Sequence, residues 1–322
     1  MVRSIRASIS RLVMWAAVLY VVQRVVIAGI IWNAGMPASV SAPSFSTSCP
    51  RRSEAEGGAA AFYTPSSMAQ DRIIYEAFYS PAAAAAAKGA GNMCDGKVFL
   101  DVGAKDGRDG SNSWFFEQYL GWRCYEIEGD ERHFALLEKF RPLSVNIWAA
   151  VSKEYGDAEW VTDGILSGGQ SGLRMSKSIK EDTNMLYSTV KKVRTTPIST
   201  VLSHFALSHV DVMSLDVEGA ELAVLETVDF RKVTIDVLTI ECNEPTSEKC
   251  AAVRALLGRN GYEIWRTISL MGAKGAPPVL RTSPKGFDEV WVRSAFLAQH
   301  PAAPRYEGQP GNPMEKDVRV VS

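Results

Sequence analysis

The chain has 322 residues, of which 46% are hydrophobic and 22% are charged, so it is long and apolar enough to fold around a substantial core. Its formal net charge of −1 argues against a general nucleic-acid binder, and we expect no nucleic-acid partner. The five cysteines form no CxxC pair and have no histidine at ligand spacing, so we expect no metal site. Their odd number excludes complete internal pairing; a disulfide is compatible with the sequence, but its partners are not assigned.

The N-terminus differs in composition from the rest of the chain. Residues 1–53 contain six arginines and no acidic residue, and the first acid is Glu54. Within this region Leu12–Trp32 is an apolar run of 21 residues, which spans a bilayer as a helix at about 1.5 Å per residue. Three arginines precede the run, so the positive-inside rule places the N-terminus in the cytosol and the bulk of the chain in a lumen. Arg24 opposes this interpretation, because a central arginine costs roughly 2.5–3.5 kcal/mol on insertion scales.

Two alternatives to a membrane anchor remain open at the sequence level. Residues 12–22 also fit the apolar part of a cleaved signal peptide, and the whole segment fits a mitochondrial or plastid presequence. Residues 33–60 are rich in Pro, Ser, Ala and Gly and predict a flexible stalk. We therefore expect residues 1–32 to be a membrane anchor or targeting segment. With the anchor, the protein would be a single-pass membrane protein of the Golgi or endoplasmic reticulum, with its larger domain in the lumen.

Short apolar runs alternate with helical patterns from Lys97 onward. Upstream of them, residues 62–79 predict a leading helix and the Ala-rich segment 81–92 predicts a loop insertion. The predicted strands are residues 98–103, 122–128, 145–152, 210–219 with its turn, 237–243, 262–267 and 287–292. The predicted helices are residues 111–121, 132–140, 199–209, 220–227 and 248–260. This order predicts a parallel sheet with crossover helices in one Rossmann-like domain, residues 61–295, followed by a loose tail at 296–322.

The segment VFLDVGAKDG carries the strongest chemical signal. Asp101 closes the first predicted buried strand, and Gly103 and Gly107 follow it. Ligands of such folds bind at the carboxyl edge of the strands, where glycines let the backbone approach closely. The spacing D-x-G-x-x-x-G differs from the G-x-G-x-x-G of dinucleotide enzymes, so it implies no phosphate cradle, and Asp101 is free to face a cationic group. A tight strand-to-helix turn without a ligand is the alternative.

A second carboxylate closes the second predicted strand. Glu128 lies 21 residues after Gly107, a separation that suits hydrogen bonding to the two hydroxyls of a ribose. Glu126 lies two residues earlier on the same face of the strand, so the sequence leaves both as candidates. A solvated acidic strand end is the alternative explanation.

A third pair of acids follows the fourth predicted strand, in SLDVEGAELAVL. Asp216 and Glu218 precede Gly219 and should lie at the same edge of the sheet as the first two signals. One of them can orient an acceptor hydroxyl or act as a general base, and His204 is a weaker candidate for the same role. The alternative is that Glu218 or Glu221 stabilises the N-terminus of the next helix through its dipole.

These blocks together resemble the FkbM-type methyltransferase family. VFLDVGAKDG, SNSWFFE, SLDVEGAELAVLE and FDEVWV occur in the family's order, with MAQDRIIYEAFYS upstream, and the resemblance covers about residues 68–292. One position departs from the pattern, since many members have proline after the second-strand acid where this chain has Gly129.

The resemblance implies a Rossmann-like class I methyltransferase fold, with a mostly parallel seven-stranded sheet and helices on both faces, here preceded by the N-terminal hydrophobic helix. It implies S-adenosyl-L-methionine (SAM) as cofactor, bound by Asp101, Gly103, Gly107 and Glu128, with Asp216 and Glu218 beside the transferred methyl group. It also implies O-methylation of a sugar, glycan or similar small acceptor. Some relatives resemble the insect Star protein, so a non-catalytic, membrane-anchored trafficking or cargo factor is the alternative function. A small-molecule methyltransferase inside an organelle is a third possibility.

Overall fold

The structure is a computed structural model that describes residues 39–41, 69–87, 96–162, 171–173, 189–242, 246–268 and 288–303. The hydrophobic segment 12–32 lies outside these residues, and so does most of the predicted stalk. Within the described ranges, no helix combines the length and apolar character that crossing a bilayer requires.

Twelve strands occur in the described residues and form two sheets. They are β1 (Ser39–Ser41), β2 (Val98–Val102), β3 (Arg123–Glu128), β4 (Val145–Trp148), β5 (Ala150–Val151), β6 (Gly156–Thr162), β7 (Ser171–Leu173), β8 (Thr189–Thr196), β9 (His209–Leu215), β10 (Thr234–Glu241), β11 (Tyr262–Ile268) and β12 (Asp288–Arg293).

The main sheet has the strand order β1-β4-β3-β2-β9-β10-β12-β11. Strands β4, β3, β2, β9 and β10 are parallel, whereas β12 runs antiparallel between β10 and β11. The prediction of a mostly parallel sheet of seven strands is therefore confirmed. An eighth strand joins it, because β1, from the segment predicted as a stalk, pairs antiparallel with β4.

Helices pack on both faces of the main sheet. They are α1 (Gln70–Ile74, continued by a π-helical turn at Tyr75–Tyr79), α2 (Pro81–Ala86), α3 (Trp114–Leu120), α4 (Glu131–Phe140), α5 (Ile198–His204), α6 (Glu221–Leu225), α7 (Glu248–Arg259) and α8 (Ser294–Leu297).

Two buried clusters show how the strand sequences divide between these faces. Side chains alternate along a strand, so Leu100 of β2 packs with α5, α6 and α7, while its neighbour Phe99 packs with α1, α3 and α8. Phe296 and Ala303 belong to the second cluster, so the packed domain continues past residue 295.

The Ala-rich segment starts as a helix, and the prediction of a loop was wrong for residues 81–86. Pro81 occupies the first helical position, where its missing N–H costs nothing, and the Oγ of Ser80 accepts a hydrogen bond from the N–H of Ala83 at 3.1 Å. The proline therefore begins the helix and does not break it.

A second, four-stranded sheet consists of β5, which is the end of the strand predicted at 145–152, and of three strands that the sequence analysis does not predict, β6, β7 and β8. Its order is β5-β8-β6-β7, with β8 antiparallel to β6 and β6 antiparallel to β7. This sheet follows β4 in the chain, and three of its residues, Val151, Trp160 and Leu173, reach the edge of the main sheet where β2, β3 and β9 end.

Candidate active site

A cavity of about 400 Å³ opens at the carboxyl ends of β2, β3 and β9. Five of the six predicted site residues line it, and these are Asp101, Gly103, Glu128, Asp216 and Glu218. Gly107 is not among the lining residues. Its φ is +72°, and a Cβ at this position would lie 2.4 Å from Leu137 and 2.5 Å from Arg141, so this glycine serves the packing of the loop against α4 and its C-terminal end.

Gly103 holds the ends of β2 and β9 together at the floor of the cavity. Its φ is +91°, and a Cβ would lie 1.7 Å from the backbone oxygen of Asp216. The N–H of Gly103 donates to Ile127 at 2.9 Å, and the N–H of Asp216 donates to Val102 at 3.0 Å. Only glycine permits this close approach. As a result, the predicted site residues at the ends of β2, β3 and β9 lie around one cavity.

Glu128 projects into the cavity from the end of β3. Its carboxylate accepts hydrogen bonds from the backbone N–H groups of Lys105 at 2.8 Å and Asp130 at 2.6 Å, so its direction is fixed. Burial raises the pKa of Glu128 to about 7, although these backbone hydrogen bonds act in the opposite direction. The carboxyl group therefore titrates close to neutral pH.

Glu126, the rival candidate on the same strand, does not reach the cavity. It is fully buried, and its Oε1 lies 2.7 Å from the guanidinium of Arg141 and accepts a hydrogen bond from Ser113 at 2.9 Å. Burial, opposed by Arg141, raises the pKa of Glu126 to about 8. The structure thus separates the two acids: Glu128 faces the cavity, and Glu126 belongs to a buried charge network.

Asp101 lies above that network, next to Glu126 across the β2–β3 pair. The residue is 4% exposed, and burial raises its pKa, while Arg141 and hydrogen bonds from Ser113 and Ser214 lower it. Asp101 therefore links the buried network to the cavity floor.

Asp216 and Glu218 lie across the cavity from Glu128. Asp216 lines the cavity and is exposed to solvent; partial desolvation by the surrounding protein, and then the charges of Glu241 and Glu218, raise its pKa above the usual range. Glu218 has a φ of +53°, which is uncommon for a residue with a side chain. Backbone strain of this kind is concentrated at functional sites.

Of the acids considered for a helix-stabilising role, Glu221 lies in the first turn of α6, and its carboxylate is bound by the turn that precedes the helix. Its Oε1 accepts hydrogen bonds from the N–H groups of Val217 at 3.3 Å and Gly219 at 2.9 Å, and it pairs with Lys249. Glu218 is consequently left facing the cavity.

The charges of the cavity wall favour a cationic ligand. The lining contains one lysine, Lys105, and five residues with carboxylate side chains, which are Asp101, Asp109, Glu128, Asp216 and Glu218. Carboxylate oxygens of Asp216, Glu218 and Glu241 also lie within 4.8 Å of one another, close enough to coordinate a divalent ion, but an acidic cluster by itself does not define a metal site.

The lining residues that sequence reasoning missed include Trp160 of β6 and Leu173 of β7. Both come from the second sheet, in residues 156–185, where the sequence analysis predicts no helix or strand. His204 is exposed and does not line the cavity; its ring packs against Phe205, with centroids 4.6 Å apart.

The sequence profile of the Methyltransferase FkbM domain matches residues 101–264, just over half of the chain. The chain belongs to the FkbM methyltransferase family. The match begins at Asp101 and includes the other predicted site residues, and the main sheet has the Rossmann-like α/β arrangement of class I methyltransferases. The family and the fold are those of SAM-dependent methyltransferases.

Solved structures with distant similarity to this FkbM-family chain include the following three. A methyltransferase FkbM from Methylobacillus flagellatus KT has 12% identity and a TM-score of 0.35, over 61% of this chain and 43% of that chain. A precorrin-6y C5,15-methyltransferase from Geobacter metallireducens GS-15 has 10% identity and a TM-score of 0.35, over 62% and 80%. Aeropyrum pernix fibrillarin with natively bound SAM has 14% identity and a TM-score of 0.32, over 66% and 73%. A comparison with curated proteins gives no match.

The close approach at Gly103 generates a stability prediction with an internal control. Gly110 also has a positive φ, +83°, but a Cβ there would meet nothing within 4 Å. We expect Gly110→Ala to lower the free energy of unfolding by about 1–2 kcal/mol, the cost of the left-handed backbone. Gly103→Ala should cost a further 1–3 kcal/mol, roughly, because the methyl group overlaps the Asp216 backbone. Urea unfolding of both variants measures the difference, and equal losses would contradict the close approach.

Proposed function

We propose that this protein transfers the methyl group of SAM to a hydroxyl oxygen of a sugar, a glycan or a similar small acceptor. The observation that carries the proposal is the meeting of Glu128 with Asp216 and Glu218 in one cavity, at the carboxyl edge of the sheet. Ligands of open α/β sheets bind at this edge. Acids for holding a ribose and acids for handling an acceptor proton thus face each other across a single space.

The cavity suits SAM in size, shape and charge. Its volume of about 400 Å³ falls within the usual range for small-molecule sites, roughly 300–1,000 Å³. Glu128 is positioned to accept hydrogen bonds from ribose hydroxyls, and the excess of carboxylates complements the sulfonium and ammonium groups. Asp101 and Gly103 would line the methionine side.

SAM, held by Asp101, Gly103 and Glu128, would supply an activated methyl group and a neutral thioether leaving group. Asp216 and Glu218 would hold the acceptor hydroxyl beside that methyl group. The hydroxyl proton passes to a carboxylate oxygen of Asp216 or Glu218. Because the leaving group needs no proton, these residues act mainly by aligning the acceptor and accepting its proton.

The environment of Asp216 supports a role as proton acceptor. A general base works best when its pKa approaches the operating pH, and partial desolvation together with neighbouring carboxylates raises the pKa of Asp216. The same negative charge repels anionic acceptors, so a neutral polyol is the favoured acceptor class.

We further propose that the domain works in an oxidising compartment, in line with the predicted membrane anchor at residues 12–32 and a lumenal domain in the secretory pathway. The disulfide between Cys242 and Cys250 supports this location, since disulfides persist in such compartments and are rare where glutathione keeps thiols reduced. A mitochondrial or plastid matrix is the alternative.

Binding of S-adenosylhomocysteine (SAH) to the full-length chain should strengthen about tenfold between pH 6 and pH 8. The ionised carboxylate of Glu128 is the form that accepts ribose hydrogen bonds, and its pKa of about 7 makes it mostly protonated at pH 6. Isothermal calorimetry at several pH values measures the change. The free energy of unfolding of the unliganded protein should change in the opposite direction. Because the pKa of Glu128 is raised in the folded state, the stability that this residue contributes is fully present below the pKa it has in the unfolded chain, and it is lost as the pH rises through 7.

Glu128→Gln is the control for this experiment, because an amide does not titrate and the affinity should lose its pH dependence. Glu126, which also titrates near neutrality, is retained in the variant, so a remaining slope would point to that residue instead. If the intact protein binds no SAH at any pH, the proposed function is wrong and the cargo-factor alternative is favoured.

Replacement of the acids at the transfer side should impair catalysis without impairing cofactor binding. One of the two substitutions, Asp216→Asn or Glu218→Gln, should remove the proton acceptor and lower kcat by about 100- to 10,000-fold. The affinity of the same variant for SAH should stay within about twofold of the wild-type value. Transfer of radiolabelled methyl from SAM to a panel of methyl glycosides, with and without added Mg²⁺, measures this. Asp157→Asn, an exposed acid of β6, is the matched control. Full activity of both cavity variants would contradict the assignment.

Thiol mapping of the protein isolated from its own cells tests the compartment. After alkylation without reductant, we expect the peptides of Cys242 and Cys250 to be recovered joined and unalkylated. Recovery of both cysteines in alkylated form would contradict an oxidising location and favour an organelle matrix.

A further inference from the structure

Two tryptophans lie against the turn that follows Glu128. The Nε1 of Trp148 donates a hydrogen bond to the backbone oxygen of Gly129 at 3.1 Å, and its ring stacks on Phe134 with centroids 6.1 Å apart. Trp160, from the second sheet, covers Gly129 itself. The backbone of Gly129 is thus hydrogen-bonded to the indole of Trp148 and covered by the indole of Trp160.

Trp160 occupies the space that a side chain at position 129 would need. A Cβ built on Gly129 would lie 2.5 Å from Cη2, 2.6 Å from Cζ3 and 3.1 Å from Cζ2 of the Trp160 ring. Gly129 does not have a positive φ, so the requirement for glycine comes from this contact and not from the backbone conformation. This explains the departure from the family pattern at the position after the second-strand acid: the glycine makes room for the indole.

The second sheet fixes Trp160 in this position through further contacts with the same turn. The Oγ1 of Thr162, two residues along β6, donates to Asp130 at 3.1 Å, and Lys191 of β8 lies 3.1 Å from Glu131. Trp160 is paired across β6 and β7 with Leu173, which also lines the cavity. Two apolar side chains of the second sheet therefore face the cavity side by side.

The indole nitrogen of Trp160 is buried but has no hydrogen-bond partner in the described part of the chain. An indole N–H is a donor only, and leaving a buried donor unsatisfied is costly, so such groups normally have a protein or ligand partner. By contrast, the nitrogen of Trp148 is satisfied by Gly129. The unsatisfied donor thus belongs to a residue that lines the cavity beside Glu128.

We infer that Trp160 is a cofactor-binding residue, which covers the adenosine end of SAM and donates its Nε1–H to an acceptor atom of the adenosine. This inference rests on the proposed use of SAM. Glu128 ends β3 and Gly129 follows it, so these two residues mark the ribose side. Trp160 contacts Gly129 on that side, and Leu173 is its cross-strand neighbour in the cavity lining. A flat aromatic ring and an apolar neighbour suit a nucleoside base, which combines a stacking face with hydrogen-bond acceptors at its edge.

Calorimetry of the full-length chain with SAH and with 5′-methylthioadenosine, which lacks the amino-acid end, tests the inference. Trp160→Phe removes the donor and keeps a ring, so both ligands should bind about 3- to 10-fold more weakly, by the same factor. Trp160→Leu should lose a similar further factor, because the aromatic face is also lost. The matched control Trp265→Phe, in the core cluster on the other side of the sheet, should leave both affinities unchanged.

Gly129→Ala provides an independent readout. The methyl group should displace the Trp160 indole, so the substitution should weaken SAH binding in the wild-type background and have little effect in the Trp160→Leu background. Equal effects in both backgrounds would show that Gly129 acts without Trp160 and would overturn the pairing.

The results separate this inference from the proposed function. If the wild-type chain binds SAH and Trp160→Phe binds it equally tightly, Trp160 is a packing residue only and the inference fails while the proposed function stands. A loss confined to SAH, with methylthioadenosine unaffected, would place the contact at the amino-acid end and also overturn it. If the wild-type chain binds neither ligand, the proposed function itself fails.

Discussion

Arg141 lies at the centre of the buried charges beneath the cavity, and the arrangement of the site depends on it. The residue is fully buried, with its Nε 2.8 Å from Glu117 of α3 and its Nη2 2.7 Å from Glu126 of β3. Its Nη1 donates to the backbone oxygen of Gly107 at 3.0 Å. Burial alone would lower the pKa of Arg141, but the charges of Glu126 and Glu117 outweigh burial and raise it. One guanidinium thus joins a helix, a strand and the glycine loop, and without it two carboxylates would remain buried without a counter-charge.

This network divides the acids of the domain into two groups. Those that maintain the structure have a cation close by, as Glu126 has Arg141 and Glu221 has Lys249. Among the described residues, Asp216 and Glu218 form no ion pair, and they face the cavity. The structural acids support the ends of the strands, and the others are held in a partly desolvated space where their pKa values rise. The cavity therefore carries excess negative charge because Arg141 and Lys249 pair with structural acids and not with the acids that line it.

The order of strands and the location of the site could be predicted because both depend on local sequence. Apolar runs that end in an acid and a glycine mark buried strands and their carboxyl ends, and parallel strands bring those ends together. The strand pattern alone did not decide between Glu126 and Glu128, and only the family resemblance favoured Glu128. The choice depends on Arg141, which lies 15 residues beyond Glu126 in the chain and reaches β3 only in the folded state. The role of Gly107 was hidden for the same reason.

The second sheet was missed because its strands are largely exposed and carry few apolar residues. The sequences of β6, GDAEWVT, and of β8, TVKKVRTT, contain no continuous hydrophobic run, and Val190 and Val193 of β8 are three residues apart, which does not match the period of two of a half-buried strand. Such strands are specified by pairing with each other and not by burial of a face. Trp160 could be found only after that pairing placed it above Gly129.

The short strand at Ser39–Ser41 affects how the domain can be handled as an isolated fragment. It pairs with β4, whose other side is occupied by β3, and so it covers one border of the main sheet. A chain begun at residue 61, where composition suggests that the folded part starts, would leave the backbone N–H and C=O groups of β4 without these partners. An open border of this kind is a template for association with other molecules, so a fragment that keeps residues 39–41 should be the more soluble one.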